Sequence, residues 1–350
     1  MPRYIVSCLD VWADPVREIV RAVAPPQFDL RFAKTYDAAE QLGLAAEADM
    51  ILVGGADLTA EMIGKAANLR MIQKWGIGVD KIDLDAARRR GIPVTITAGA
   101  NAGPVAELAV ALMLAVYRRI PLADRMLRAG VWLKPQMRSW CYQLDGKTIG
   151  LVGFGAIARM VAHRLRGFDA NILYYDVNRA DRVSERALGA TFTPYEELLR
   201  RSDILSIHTP LTAATRGLIG AEAIARMKDG AVIINTARGG IVDEAALYQA
   251  LVSGKLRGAG LDAFDQEPPS PDNKLLTLDQ VVLTPHAGGG VFDNVENVAR
   301  QAFGNMEKFL AGQPFATADV VVPSGHADDQ MPSGHADHQV PSGHAAAGRA

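Results

Sequence analysis

The chain has 350 residues, of which 49% are hydrophobic, and 39 acidic side chains nearly balance 37 basic ones, giving a net charge of −2. This length predicts about two domains, each large enough to bury a core. The balanced charge gives no reason to expect nucleic acid or an anionic membrane as a partner. The two cysteines, Cys8 and Cys141, have no metal-ligand spacing, which favours a reducing compartment and a cytoplasmic protein.

The N-terminus has no long apolar run after a basic start, so no signal peptide is expected. The longest apolar stretch, residues 105–116, contains Glu107 and is too short to span a bilayer.

Residues 1–100 alternate short apolar, β-branched runs with helix-like segments, which predicts a small open α/β domain. The strand candidates are residues 4–8, 29–32, 50–53, 69–74 and 94–97, with helices at 16–23 and 38–46. The fourth strand leads into the glycine-containing turn Lys74-Trp75-Gly76-Ile77-Gly78-Val79-Asp80. This turn lacks the helix that a dinucleotide fingerprint requires.

Two helices are predicted next, at residues 105–117 and from there to about 129, and a long helix in this place is typical of a bridge between domains. Residues 132–143 are aromatic and polar without a clear period. We interpret them as a loop that packs near a cleft or on a partner subunit.

A dinucleotide-binding fingerprint follows, in Gly153-Phe154-Gly155-Ala156-Ile157-Ala158. A strand precedes it at residues 148–152, a helix-period run follows to residue 165, and a second strand at 172–175 ends at Asp176. Gly153 would permit the tight turn, Gly155 would let a pyrophosphate approach the backbone, and the helix N-terminus would face the anion. The sequence context therefore predicts a dinucleotide cofactor.

Asp176 would accept hydrogen bonds from a ribose 2′-hydroxyl and repel a 2′-phosphate, which favours NAD over NADP. Arg179, three residues further on, could weaken that preference.

Strands at residues 204–208, 232–235, 260–261 and 281–284 alternate with helices at 221–227 and 244–252, which predicts a parallel, doubly wound sheet. A final helix at residues 295–310 is expected to return to the first domain. The predicted organisation is thus a first α/β domain of residues 1–100 completed by about 290–320, and a second one of residues 101–289.

The last 30 residues, 321–350, differ in character, since a Pro-Ser-Gly-His motif occurs three times with a period of nine. Such a polar repeat cannot bury a core, which predicts a disordered tail. Because four of the seven histidines lie here, a weak metal site is the alternative.

Three polar side chains follow predicted strands of the second domain, where ligands bind in open α/β sheets. Arg238 could hold a carboxylate and polarise a carbonyl, His286 could act as an acid or base, and Glu267 could stabilise a protonated histidine. Taken singly, each of these side chains is better explained by a structural role.

Together these segments resemble the D-2-hydroxyacid dehydrogenases, whose motifs appear in family order as GFGAIA, HTPLTAATRGLIG, NTARGGIVDEAAL, GAGLDAFDQEPP and LTPHAGG. The resemblance covers residues 50–310. It implies a flavodoxin-like substrate domain, a Rossmann NAD-binding domain and the interconversion of a 2-oxo acid with a D-2-hydroxy acid, with NADP as the less favoured cofactor and no metal. Since formate enzymes of the family carry glutamine where this chain has Glu267, formate is not expected as substrate.

The resemblance also implies residue roles. It makes Arg238 the substrate-orienting cation, His286 the acid/base and Glu267 its partner. The backbone at Ile77 and Gly78 would bind the substrate carboxylate, and Lys74 is either a contact to a second anionic group or a surface lysine. The implied cofactor contacts are Thr97, Gly153, Gly155, Ala156, Ile157, Asp176, Thr209, Pro210, Thr236, Ala237, Arg238, Asp262, His286 and Gly288. His208, beside them, is expected to be structural.

A homodimer formed through the helices of residues 105–129 is a further implication of the resemblance. Two alternative hypotheses are compatible with the same fold. In the first, the chain is a corepressor-like protein that binds NAD(H) without turnover, with the tail as its partner-binding segment. In the second, it is an enzyme that acts on a non-carboxylate acid such as phosphite.

Overall fold

A computed structural model of the chain describes residues 3–324. The repeats of the C-terminal segment, and with them the prediction of a disordered tail or a metal site there, lie outside the described residues. The described part contains two separate β-sheets with helices packed on them.

The first sheet has the strand order β13-β5-β4-β3-β1-β2, in which the five N-terminal strands are parallel. Its N-terminal elements are β1 (Tyr4–Cys8), α1 (Asp14–Val23), β2 (Phe28–Phe32), α2 (Ala38–Glu47), β3 (Met50–Val53), α3 (Ala60–Lys65), β4 (Met71–Lys74), α4 (Leu84–Arg89) and β5 (Val94–Thr95). All residues of β3 and β4 are buried, as expected for parallel strands covered by helices on both faces. The order of the parallel strands is that of a flavodoxin-like sheet.

Three helices come between the sheets: α5 (Ala102–Tyr117), α6 (Ile120–Arg128) and α7 (Lys134–Trp140). The apolar α5 packs against the second sheet and its first helix, which explains why nine of its 16 residues are buried. By contrast, α6 and α7 have no buried residue.

The second sheet is fully parallel, with the order β12-β11-β10-β9-β6-β7-β8. Its elements are β6 (Thr148–Val152), α8 (Ala156–Leu165), β7 (Asn171–Tyr175), α9 (Arg182–Leu188), β8 (Ala190–Phe192), α10 (Tyr195–Arg201), β9 (Ile204–Ile207), α11 (Ala221–Arg226), β10 (Ala231–Asn235), α12 (Glu244–Val252), β11 (Leu256–Leu261) and β12 (Val281–Leu283). This is the Rossmann order with one added strand.

The chain then returns to the first sheet through α13 (Val295–Leu310), which packs on α1 and β4 and buries Phe303 and Met306 there. The last strand, β13 (Val320–Val322), pairs antiparallel with β5. Two parallel-sheet α/β units and the return of the last helix were both predicted. The antiparallel edge strand was not, and it continues just into the segment predicted as a disordered tail.

One predicted loop is wrong. Residues 132–143 contain α7, which begins at Lys134 with Pro135 in its first turn, a favourable place for proline. The helix is short and exposed, so it shows no apolar period that could have indicated it. Within residues 3–324, no helix is long and apolar enough to cross a membrane.

Candidate active site

The carboxyl ends of the two parallel sheets face one cavity of about 100 Å³. Ile77, Gly99 and Asn101 line it from the first sheet and the start of α5, and Gly155, Ala156 and Ile157 line it from the turn after β6. In the second sheet the cavity lies between the ends of β6 and β9, where the strand order reverses, the place where open α/β sheets bind ligands.

The glycine turn after β6 has the geometry that an anion site needs. Gly153 has φ +88°, and a Cβ there would stand 2.8 Å from the His208 carbonyl carbon and oxygen, so no other residue fits without a shift. A Cβ at Gly155 would meet no atom within 4 Å, which leaves open space above the backbone. Among the described residues no side chain caps the N-terminus of α8, so its first amides are available to a phosphate group.

Asp176 follows β7 and reaches back to this turn. Its carboxylate accepts hydrogen bonds from the amides of Phe154, at 2.6 Å, and Asn178, at 2.9 Å. Asp176 therefore lies beside the glycine turn with a fixed orientation, as a residue that binds the ribose of a dinucleotide requires.

Asp262 organises the loop that follows β12. It is 2% exposed and accepts hydrogen bonds from the Thr284 hydroxyl at 2.7 Å, the Ala287 amide at 2.8 Å and the Gly288 amide at 2.9 Å. Within residues 3–324 only Gly288 donates to Oδ2, so this oxygen retains capacity for a further donor.

Two buried polar atoms of predicted or lining residues lack a hydrogen-bond partner among the described residues: Oδ1 of Asn101, which lines the cavity, and Oγ1 of Thr236, just after β10. Such atoms are rare in proteins and fit a site where a bound group supplies the partner. Thr97 instead accepts a 2.8 Å bond from the Gly76 amide and so fixes the turn after β4. The other residues implied on the nicotinamide side, Thr209, Pro210 and Ala237, follow the ends of β9 and β10.

His286 and Glu267 form a close pair, although 19 residues separate them. The ring Nδ1 lies 2.9 and 2.8 Å from the two carboxylate oxygens, and the Phe264 amide donates to one of these at 3.1 Å. Burial would raise the pKa of Glu267, but the hydrogen bond and charge of His286, the Phe264 amide and the charge of Lys81 together lower it, so the carboxyl stays ionised. With Nδ1 engaged by Glu267, Nε2 is the ring nitrogen left for a substrate.

His286 also has a strained backbone, with φ +51°, a left-handed value that non-glycine residues seldom adopt. The Asp262 bonds to the next two amides hold the loop in this shape. Strain of this kind occurs where the surrounding structure fixes a functional side chain.

Arg238 reaches from the second sheet to the first. Its Nε donates to the Asp80 carboxylate at 2.8 Å, and its Nη1 to the Ala237 carbonyl at 2.7 Å. The guanidinium lies against Gly78, where a Cβ would stand only 1.4 Å from Nη2. Burial would raise the pKa of Asp80, but Arg238 outweighs this and lowers it, which makes the contact an ion pair.

Lys74 lies at the end of β4 and is 8% exposed. Its ammonium donates to the backbone carbonyls of Gly54 and Trp75, and burial lowers its pKa to about 8. The Asp10 carboxylate accepts from the amides of Gly54, Gly55 and Ala56, so it and Lys74 hold this loop from opposite sides. The prediction of a surface lysine is wrong, since the side chain is buried at the carboxyl edge of the sheet.

His208 contacts the Ser206 hydroxyl through Nε2 at 2.9 Å, and burial lowers its pKa to about 3, so its ring is neutral. His208 also lines the cavity, so its structural role stays a prediction. Sequence reasoning missed Asp80, Asp10 and Asn101. Asp80 is the last residue of the glycine-containing turn of residues 74–80, but nothing in that segment shows that it meets an arginine from the other sheet.

The assembled groups can bind an anion and exchange a proton with it. Arg238 is a fixed cation, Ile77 and Gly78 supply backbone next to it, and the His286–Glu267 pair can exchange a proton. Beside them lies a cavity with a glycine turn and free amides, and the Asp176 carboxylate lies next to that turn, an arrangement that suits a dinucleotide.

Comparison with known proteins agrees with this geometry. A sequence profile of the family described as D-isomer specific 2-hydroxyacid dehydrogenase, NAD binding domain, matches residues 110–288. A D-3-phosphoglycerate dehydrogenase from Archaeoglobus fulgidus is 42% identical over 76% of this chain and 50% of its own length. A hydroxypyruvate reductase from Thermotoga maritima is 45% identical over 71% of this chain and 80% of its own. The chain thus spans about half the length of the first relative and most of the second.

Among solved structures, the NAD-dependent formate dehydrogenase from Staphylococcus aureus in complex with NAD superposes with a TM-score of 0.81. It is 28% identical, over 92% of this chain and 99% of its own. The matching profile is that of an NAD binding domain, so the cofactor site accepts a nicotinamide dinucleotide. On this sequence, fold and site, the chain belongs to the family of D-isomer specific 2-hydroxyacid dehydrogenases.

Proposed function

We propose that the chain is an NAD-dependent enzyme that interconverts a 2-oxo acid and its D-2-hydroxy acid. The observation that carries the proposal is the pairing of His286 with Glu267 at 2.8 Å, at the sheet edge that also presents Arg238. In this assignment residues 1–100, completed by about 290–320, bind the substrate, and residues 101–289 bind the cofactor.

The residues present fit a nicotinamide dinucleotide. Gly153, Gly155, Ala156 and Ile157 would hold the pyrophosphate and Asp176 the ribose, while the strand-end residues would surround the nicotinamide. The latter group consists of Thr97, Thr209, Pro210, Thr236, Ala237, Arg238, Asp262, His286 and Gly288. Bound in its reduced form, the cofactor supplies the hydride. The Asp176 carboxylate favours NAD because it would repel a 2′-phosphate.

The residues of the chain supply the rest of the reaction. The backbone amides at Ile77 and Gly78 would bind the substrate carboxylate, and the Arg238 guanidinium would bind the same group and polarise the 2-oxo oxygen. Protonated His286 would give the proton on Nε2 to that oxygen as it becomes a hydroxyl. Glu267 would hold the ring through Nδ1 and stabilise its positive charge before the transfer. In the reverse direction Nε2 takes the hydroxyl proton.

The substrate class is narrowed by two residues. Glu267 occupies the position at which formate enzymes of the family carry glutamine, which argues for a 2-oxo acid. Lys74 lies at the strand end beside the Ile77 turn, and its ammonium could leave its carbonyl partners to bind a second anionic group. We therefore propose a 2-oxo acid that carries a second anion, such as a phosphate, as the preferred substrate.

A homodimer is part of the proposal. The α6–α7 segment exposes Ile120 (52%), Leu127 (58%) and Trp132 (68%), and a groove of about 420 Å³ runs between its helices. Large exposed apolar side chains that cluster in this way mark protein contacts. Both cysteines are free thiols, which supports a reducing compartment such as the cytoplasm.

The test is NADH consumption by the purified chain with glyoxylate, hydroxypyruvate, phosphohydroxypyruvate, pyruvate, 2-oxoglutarate and phenylpyruvate, and with NADPH in parallel. Arg238→Ala should abolish most of the turnover while NADH still binds. Turnover of Arg238→Ala at the wild-type rate would refute the assignment. No turnover on any acid, with NADH still bound tightly, would identify a nucleotide-binding protein instead.

A further inference from the structure

The loop between Asp176 and α9 contains one arginine, Arg179, and a carboxylate from α9 holds it. Arg179 Nε donates to Glu185 Oε1 at 2.9 Å, and Nη2 donates to Oε2 at 3.0 Å. This bidentate arrangement uses the face of the guanidinium that would otherwise bind the oxygens of a phosphate. Glu185 therefore engages Arg179, which is the only basic side chain between Asp176 and α9.

The carboxylate in this pair is fixed more firmly than the arginine. The side chain of Glu185 is 12% exposed and that of Arg179 is 56% exposed. Glu185 Oε1 also accepts a hydrogen bond from the buried Tyr174 hydroxyl at 2.7 Å, and this hydroxyl accepts one from the Ala180 amide at 3.0 Å. Glu185 is thus anchored to β7 and to the loop itself, and it can hold a mobile arginine in one place.

A second contact directs the guanidinium toward the same side. Arg179 Cζ lies 5.3 Å from the ring centroid of Phe192, at the end of β8, the outermost strand. Asp176, in contrast, points to the glycine turn after β6 through its bond to the Phe154 amide. The loop therefore presents a carboxylate to the ribose and keeps its cation with α9 and β8.

We propose that Glu185 is a specificity-determining residue, which strengthens the preference for NAD over NADP by withholding Arg179 from a 2′-phosphate. This inference rests on the ribose-binding role of Asp176 in the proposed function. Two effects then act together. Asp176 repels the 2′-phosphate, and Glu185 holds away the Arg179 guanidinium that would otherwise compensate for the repulsion. Arg182, the first residue of α9, is exposed and adjacent, so it has to be tested alongside.

The expected change in affinity for a 2′-phosphate follows from the strength of the Arg179–Glu185 ion pair. Breaking an ion pair that has one solvent-exposed partner changes an equilibrium constant by up to roughly fivefold. Releasing Arg179 should therefore improve binding of a 2′-phosphate by about fivefold, and the gain should shrink at high salt because the Arg179 guanidinium is exposed to solvent.

The experiment is a double-mutant cycle on the full chain, read by calorimetric binding of 2′,5′-ADP and of 5′-AMP, which lacks the 2′-phosphate. Glu185→Ala should improve the ratio of the two affinities by about fivefold in favour of 2′,5′-ADP. Arg179→Ala should change this ratio by less than about twofold in the wild type but remove the whole gain in the Glu185→Ala background. Arg182→Ala should leave the gain in place.

Two further variants serve as controls. Glu185→Gln keeps an acceptor for the Tyr174 hydroxyl but loses the charge, so it should give part of the gain with an unchanged melting temperature. Glu296→Ala releases Arg300 from a different arginine–glutamate pair, on α13, and makes the same change in net charge, so it should leave the ratio unchanged.

The proposal is overturned if Arg179→Ala changes the ratio equally in both backgrounds, if Glu185→Ala leaves it unchanged, or if Glu296→Ala reproduces the gain. These outcomes do not depend on turnover. Failure of the proposed cofactor preference has a different signature, in which the wild type already binds 2′,5′-ADP as tightly as 5′-AMP.

Discussion

Gly78 and Arg238 meet across the cleft, and a single methyl group tests whether this contact positions the substrate-orienting cation. In Gly78→Ala the new Cβ would lie 1.4 Å from Arg238 Nη2 and 2.5 Å from Cζ. Carbon atoms pack at about 3.5–4.0 Å from their neighbours, so the guanidinium has to retreat by roughly 2 Å. Gly78 does not have a left-handed backbone, so alanine itself is tolerated there.

The displaced group is the far end of a flexible side chain, so the free energy of unfolding should change by no more than about 0.5 kcal/mol. The catalytic effect should be much larger. A misplacement of about 1 Å can reduce a rate by about 10²-fold, and loss of one group that stabilises the developing charge by about 10²–10³-fold. We therefore expect kcat/KM to fall by about 10²–10³-fold, toward the value of Arg238→Ala.

The assay measures kcat/KM for the best 2-oxo acid, the melting temperature and NADH affinity. Gly43→Ala is the matched control, because Gly43 lies in α2 and a Cβ there would meet nothing within 4 Å. It should leave kcat/KM and NADH affinity unchanged and should not lower the melting temperature, because alanine favours a helix more than glycine does. Wild-type kcat/KM in Gly78→Ala would show that the contact with Gly78 does not position the Arg238 guanidinium for catalysis. A large drop in melting temperature would show that the substitution disturbs more than the guanidinium.

Four further outcomes are expected. Glu267→Gln should lower kcat by about 10²-fold, since His286 loses an ionised partner at 2.8 Å, and NADH affinity should not change; an unaltered kcat would separate Glu267 from proton transfer. Lys74→Met should raise KM for phosphohydroxypyruvate but not for glyoxylate. Because burial lowers the Lys74 pKa to about 8, the wild-type KM for the phosphorylated acid should rise as the pH increases through this value, and a flat profile would exclude the ammonium as a contact. Asp176→Asn should weaken NADH binding and improve NADPH binding, measured by quenching of tryptophan fluorescence; equal losses for both cofactors would show a structural role only. Leu127→Glu should convert a dimer to a monomer in sedimentation experiments, whereas a monomeric wild type would remove the proposed interface.

The local chemistry of the site could be predicted because it follows from the chain itself. The strand, glycine turn and helix of residues 148–165 carry their own signal, since Gly153 needs a positive φ and the helix start needs free amides. Glu267 and His286 each follow a strand of one parallel sheet, and such strand ends meet at a common edge.

Contacts between distant segments could not be predicted in the same way. The pairing of Arg238 with Asp80 spans 158 residues and depends on how one sheet faces the other. The burial of Lys74 depends on Asp10 and the loop after β3, which no local pattern connects with it. For α7, the proline in its first turn was a start signal, but an exposed helix has no apolar period to support it.

The central claim is that His286, Glu267 and Arg238 direct hydride and proton to a 2-oxo acid with one handedness. The most direct measurement is chiral analysis of the hydroxy acid formed from whichever 2-oxo acid is consumed fastest with NADH, for the wild type and for His286→Ala. We expect the D enantiomer from the wild type and little product from the variant. An L product, or undiminished product from His286→Ala, would contradict it.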